Sequence, residues 1–144
     1  MNGDDYQLTD ADKLADDLSI AASLGQYEAV HKLLKNGVSL GHYDYRGWFA
    51  LHWACQEGHS DIVRLLIDSG ADVNAKSIEE GITPLMQGVW GKHIEVVQIL
   101  LEHGADPSVD APLGGLCTSV QAAEKDGHVE ILEMLREAIE KRQK

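Results

Sequence analysis

The chain has 144 residues, the length of one domain, and its apolar share of 44% is ordinary for a soluble globular protein. Its formal net charge of −12 repels nucleic acid and anionic membranes and favours encounter with basic partners. No apolar run approaches the roughly 20 residues that span a bilayer, so we expect neither nucleic-acid binding nor membrane insertion.

The first predicted element is a helix that begins near Thr9, where "TDAD" offers an N-cap and acidic residues in the first turn. The N-terminal stretch "MNGDDYQLTD" looks like a natural start, and it lacks the basic and apolar regions of a secretory signal. Two cysteines make no disulfide framework. We therefore expect a complete small protein in the cytoplasm, with the nucleus as a further location.

The segment that begins at Leu18 recurs along the chain. Its copies begin at Leu51, Leu85 and Val120, which gives spacings of 33, 34 and 35 residues. Each copy predicts a first helix with small residues at its centre, then a Gly-His pair or a near equivalent, then a second amphipathic helix. A period of this length indicates stacked units, none of which buries its apolar face alone.

Two stretches, "LHWACQEGHSDIVRLLIDSGADVNA" (51–75) and "TPLMQGVWGKHIEVVQILLEHGAD" (83–106), resemble the ankyrin repeat. The resemblance covers about residues 14–138. It implies an all-α solenoid of stacked helix-turn-helix units with projecting β-hairpin loops. We expect one domain over 1–144, with repeats at about 10–43 (N-cap), 44–76, 77–109 and 110–144 (C-cap with an extended final helix).

His52, Cys55 and His59 invite a metal or thiol hypothesis, but Gly58 ends the helix before the third of them. The resemblance places His52 and His59, like His93, where the ankyrin pattern carries histidines that bond loops and helix ends. Cys55 occupies a small-residue core position, where a buried thiol is inert. We expect no metal, cofactor or catalysis; a metal-binding or thiol enzyme using His52 and Cys55 is the less favoured alternative. Cys117, in "PLGGLC", is expected to be more exposed.

The contact surface that the resemblance implies is a concave groove made of hairpin tips and the outward face of the first helices. Tryptophan, tyrosine and arginine are the residue types that dominate binding hot spots. Trp48 and Trp90 are predicted to be exposed at the centre of this groove, whereas Trp53 is evenly balanced between packing and contact. The predicted contact residues are Tyr43, Tyr45, Arg46, Trp48, Trp53, Gln56, Glu57, Lys76, Glu79, Glu80, Ile82 and Trp90.

The loop "KSIEEGI" (76–82) is one residue longer than a spacing of 33 allows, and "VDAPLGGLC" (109–117) is two longer. With Asp44, Glu57 and Asp126 nearby, the groove is expected to be aromatic in the middle and acidic around it. Such a surface suits a protein segment that carries Lys or Arg beside a bulky apolar anchor, held partly by cation–π contact. The alternatives are an acidic escort for a basic client and an adaptor or inhibitor of an enzyme, each as a monomer.

Two further positions depart from, or follow, the repeat pattern. Phe49 replaces the threonine that would cap the first helix of the second unit, at a cost of about 1 kcal/mol, and is expected to fill a gap between units. Asn74 lies in "LLIDSGADVNA", which is similar to ankyrin segments whose asparagine is hydroxylated by an asparaginyl hydroxylase. The same asparagine would also stabilise the turn without modification.

Overall fold

The computed structural model describes residues 9–109 and 118–144. Cys117 and nearly all of the long loop at 109–117, for which sequence-based expectations were stated above, lie outside these segments. The described segments form eight helices and no strand: α1 (Asp10–Ser23), α2 (Tyr27–Lys35), α3 (Ala50–Glu57), α4 (Ser60–Asp68), α5 (Pro84–Trp90), α6 (Ile94–Glu102), α7 (Ser119–Lys125) and α8 (Val129–Arg142).

The helices form four consecutive pairs that stack in two layers. The first helices α1, α3, α5 and α7 contact one another in order, and α2, α4, α6 and α8 do the same behind them. Small residues such as Ala22, Ala54 and Ala123 are fully or almost fully buried and allow the first helices to pack closely. The all-α solenoid expected from the repeat is therefore confirmed.

The helix ends are fixed as the Gly-His pattern predicts. Gly58 ends α3 with φ +77°, a left-handed angle that glycine adopts without steric cost. A Cβ at this position would lie 2.5 Å from the His93 ring, because the Nε2 of His93 donates to the Gln56 carbonyl at 2.9 Å. His59 donates in the same way to the Ser23 carbonyl of the first unit, at 3.0 Å. These histidines bond helix ends, as the resemblance implies, and each bond also joins successive units.

The loops ahead of α3 and α5 are tight turns rather than the paired strands that were expected. In the second unit the Asp44 N–H donates to the Trp48 carbonyl at 2.8 Å, and in the third the Ser77 N–H donates to the Ile82 carbonyl at 2.9 Å. The Ile78 N–H donates to the Gly47 carbonyl at 2.9 Å, so the two tips are also bonded to each other. The tips therefore form one continuous rim beside the first helices.

The first and last pairs are polar on the faces that would meet a further unit. Lys32 is exposed at the position where the later units have Leu65, Ile99 and Met134, all of which pack inside.

At the other end of the stack, Glu124 and Arg136 form an exposed ion pair at 3.4 Å. Their counterparts in the third unit are the core residues Val89 and Leu101. The terminal pairs thus act as caps on the apolar core. The final helix α8 has 14 residues, whereas α2, α4 and α6 have 9 each.

None of the helices in the described segments has the length and hydropathy needed to cross a membrane.

Candidate protein-binding surface

Asp44 organises the tip of the second unit. Its side chain is 4% exposed, and its Oδ1 accepts hydrogen bonds from the backbone N–H groups of Arg46 (2.9 Å) and Trp48 (3.1 Å). Its Oδ2 accepts a 2.6 Å hydrogen bond from the indole N–H of Trp53. The expectation that Asp44 contributes to an acidic rim is therefore wrong. An aspartate at the start of a tight turn bonds its own backbone two residues on, and that pattern was available in "DYRGW".

Trp48 packs inside the tip rather than facing a partner. It is 8% exposed and lies against Ile82 (4% exposed) and Met86 (0%), with its ring centroid 4.7 Å from that of Trp53. The turn bonds of Asp44 fix the backbone of Trp48 on both sides, and the third unit supplies the apolar floor. The predicted exposure of Trp48, and with it a groove position for Ile82, is wrong.

Arg46 covers the tryptophan faces that were expected to receive a partner's cation. Its guanidinium carbon lies 5.2 Å from the Trp48 ring centroid and 5.4 Å from that of Trp53. At this range a cation–π contact contributes about 0.5–1 kcal/mol at an exposed site. Arg46 of the chain itself therefore makes the cation–π contact at these two rings that was expected from a partner.

The apolar surface that remains exposed lies between α1 and α3. Ile20 is 54% exposed, Leu24 63% and Tyr45 80%, and together with the half-buried Trp53 they line a cleft of about 230 Å³. Asp16 stands at its edge and accepts the Tyr45 N–H at 3.1 Å. We call this surface the α1–α3 cleft.

Sequence reasoning did not find Ile20 and Leu24 as contact residues. In the repeat alignment they correspond to Trp53 and Glu57, which were predicted contact positions in the second unit. Applying the same positions to the first unit would have identified both.

A second hollow, of about 440 Å³, lies along the rim of tips beside this cleft. Tyr43 (49% exposed), Asp12 and Glu79 line it with Asp16 and Tyr45. The neighbouring side chains of Glu80 and Lys76 are exposed as well. At the tips the expected acidic character is carried by Glu79 and Glu80, and Asp12 and Asp16 of α1 add carboxylates to the hollow.

The remaining predicted contact residues lie further along the same face. Glu57 is exposed at the end of α3, and Gln56 before it is half-buried. Trp90 at the end of α5 is also half-buried. It packs against both the main core and the cluster that Trp48, Ile82 and Met86 form. Its predicted exposure is thus realised only in part.

His52 and Cys55 are structural residues. The His52 Nδ1 accepts the Phe49 N–H at 3.1 Å, and its Nε2 donates to the Ile82 carbonyl at 2.7 Å, so both ring nitrogens are occupied. Burial lowers the pKa of His52, and burial raises the pKa of the Cys55 thiol, which is 0% exposed. Among the residues with described positions, no three His, Cys, Asp or Glu side chains are grouped closely enough to hold a metal ion.

Phe49 leaves the start of α3 without a side-chain cap. The His52 N–H, which a threonine would accept, donates instead to the Phe49 carbonyl at 3.0 Å, and the Nδ1 of His52 accepts the Phe49 N–H at 3.1 Å. The half-buried ring of Phe49 stacks on His52 with centroids 5.8 Å apart and meets Tyr43 edge-on at 6.2 Å.

Asn74 joins the loops of the second and third units. Its Nδ2 donates to the Gly104 carbonyl at 3.2 Å, and its Oδ1 accepts the Asp106 N–H at 2.8 Å. These bonds give the exposed side chain a structural role in its unmodified form. The hydroxylation of Asn74 stays a prediction.

Comparison with protein families finds a match to the family described as "Ankyrin repeats (3 copies)" over residues 18–111. The chain is 38% identical over 93 residues to human BCL-6 corepressor-like protein 1, which covers 64% of this chain and 5% of that protein. It is 36% identical over 101 residues to the palmitoyltransferase AKR1 of Lachancea kluyveri (68% and 14%). It is 30% identical over 115 residues to the ankyrin repeat, SAM and basic leucine zipper domain-containing protein 1 of Carollia perspicillata (78% and 24%). The chain spans less than a quarter of the length of each of these relatives.

Proposed function

The chain belongs to the ankyrin repeat family, and we propose that it is a non-enzymatic protein-binding module whose contact site is the α1–α3 cleft. Ankyrin repeats are protein-interaction modules, so the fold supports the general role. The observation that supports the site is the contiguous exposure of Ile20, Leu24 and Tyr45 beside Trp53. Exposed apolar patches with a polar edge mark interaction sites, and burial of one bulky apolar side chain contributes about 1.5–3 kcal/mol.

The partner segment carries a bulky apolar side chain next to basic residues. Asp16 and Glu79 lie on the tip side of the cleft, and Glu57 lies at the other end of the same face. An apolar anchor fills the cleft while Lys or Arg side chains face these carboxylates. The net charge of −12 adds long-range attraction for such a segment.

The experiment that tests the site begins with selection of binding peptides from a displayed library by the whole chain. The Kd of a selected peptide is then measured for wild type and for the double variant Ile20→Ser/Leu24→Ser. The matched control is Val129→Ser, because Val129 is an aliphatic residue with a similar exposure of 65% on the distant α8. The account requires a loss of about tenfold or more in the double variant and no change in the control. Equal affinity in all three proteins would refute the site.

The basic character of the partner has its own test. Glu79→Lys/Glu80→Lys reverses two exposed charges at the tips, and Glu130→Lys/Glu133→Lys makes the same change on exposed positions of α8. The tip variant is expected to lower the association rate at low salt and to weaken its salt dependence more than the α8 variant does. An association rate that responds equally to both variants would show that net charge alone acts.

A further inference from the structure

Two buried amide atoms on the first helices have no hydrogen-bond partner. They are the Nε2 of Gln87 and the Oε1 of Gln56, the two such side-chain atoms that occur among the described residues. Gln87 is 3% exposed, so its side chain is almost wholly removed from water. Nearly all buried polar groups in native proteins are paired, and a buried donor or acceptor left unpaired costs about 1–3 kcal/mol.

Packing does not account for glutamine at position 87. The corresponding residues of the other units are Ile20, Trp53 and Ala122, which are all apolar. An apolar side chain would fill this position without the cost of an unpaired amide. The polar atoms of Gln87 therefore call for a hydrogen-bond partner that the described residues do not supply.

The two amides lie on neighbouring first helices, α3 and α5. Gln56 and Glu57 end α3, and Gln87 lies on the neighbouring α5, one turn before Trp90. Trp53 occupies the position of α3 that matches Gln87, and its indole is anchored to Asp44. Trp90 has no such anchor among the described residues, and it is only half-buried.

We propose that Gln56 and Gln87 form a subsite for one amide group of the bound partner, which enters when the Trp90 ring rotates away. The partner's carbonyl oxygen accepts from the Nε2 of Gln87, and its N–H donates to the Oε1 of Gln56. An amide offers both a donor and an acceptor. It therefore still pairs with a glutamine whose own side-chain amide is rotated by half a turn, which exchanges the oxygen and the nitrogen. In the orientation that the structure shows, a carboxylate pairs only with the Nε2 of Gln87 and an ammonium only with the Oε1 of Gln56. The inference rests on the proposed function, since the partner segment lies along the same face.

The direct test uses NMR on the whole ¹⁵N-labelled chain and needs no partner. N-methylacetamide represents a peptide bond, acetamide represents an Asn or Gln side chain, and methyl acetate is the control that lacks an N–H. The expected result is a saturable shift of the Gln87 side-chain NH₂ and of the Trp90 indole signal with the amides. The Trp90 shift should disappear in Gln87→Leu and persist in Gln98→Leu, because Gln98 is exposed on α6 and already bonds Glu102.

Two results would overturn the subsite. One is the absence of a saturable shift, or equal shifts with methyl acetate. The other is a long-lived water detected at the Gln87 NH₂ that remains in place at saturating amide, because the glutamines would then already be satisfied.

A peptide selected by the wild-type chain separates the two sources of the amide. Replacement of single peptide bonds by esters tests the backbone, and replacement of its Asn or Gln residues by Leu tests the side chains. One of the two changes is expected to weaken binding about tenfold to wild type and not to Gln87→Leu. Equal losses with both proteins would contradict the subsite. If the cleft variants bind the peptide normally while the amide shifts persist, the proposed function fails but the subsite does not.

Discussion

Replacing Trp48 by alanine tests whether this residue is a structural part of the tip. The ring is 8% exposed, and it touches Trp53, Ile82 and Met86 while Arg46 lies 5.2 Å above it. Truncation of a buried aromatic residue costs about 3–5 kcal/mol, because the apolar contacts are lost and a cavity remains. A contact residue on the surface would instead change stability by about 0.5 kcal/mol or less.

The assay is urea unfolding followed by far-UV circular dichroism. Tyr45→Ala is the matched control, since Tyr45 lies three residues away in the same tip and is 80% exposed. The midpoint is expected to fall strongly for Trp48→Ala and to stay near wild type for Tyr45→Ala. A free-energy loss below about 1 kcal/mol for Trp48→Ala would refute its packing role.

The remaining predictions concern stability. Lys92 has φ +60°, so Lys92→Gly should raise the melting temperature by relieving about 1 kcal/mol of left-handed strain; an unchanged or lower value would count against that strain. Gln87→Leu should leave stability equal or higher, because an unpaired buried amide is removed; a loss of more than about 1 kcal/mol in urea unfolding would mean that Gln87 is paired. Burial holds the pKa of His52 below its value in the unfolded chain, so the unfolded state takes up a proton first and stability falls as pH drops below about 6.5. His52→Gln should flatten this fall by up to about 1.4 kcal/mol per pH unit; an identical pH profile for His52→Gln and wild type would contradict the assignment.

Repetition made the helical architecture predictable. Each unit repeats the same pattern, so the helix end at Gly58 follows from the repeated Gly-His spacing, and the bond of His93 to a helix end follows from the resemblance to the ankyrin repeat. The polar end faces follow the same logic, since Lys32 and Glu124 replace apolar residues at matching positions.

The orientation of side chains at the tips was not predictable in this way. Whether Trp48 faces inward depends on the turn bonds of Asp44 and on Ile82 and Met86 of the next unit. Ser77 and Ile82 make the same turn bonds in the third unit, but through different residue types and a loop one residue longer, so the sequence pattern does not repeat. The position of Arg46 over two rings likewise depends on contacts that only the folded tip creates. The crowding of aromatic residues in the sequence therefore indicated that this tip differs from the others, but it did not predict which of the rings faces solvent.

The exposed residues of the first unit could have been found by reasoning from sequence alone. Ile20 and Leu24 occupy contact positions by alignment, but neither is a tryptophan, tyrosine or arginine, the residue types on which the predicted site was based. The α1–α3 cleft therefore replaces the groove centred on Trp48 and Trp90 as the proposed contact site.

The measurement that tests the central proposal most directly is the affinity of a selected peptide for Ile20→Ser/Leu24→Ser against Val129→Ser. Both proteins should unfold like wild type, because all three side chains are exposed. The account predicts that the first variant loses at least about tenfold in Kd and that the second binds like wild type. Wild-type affinity in the first variant would show that the partner does not use the α1–α3 cleft.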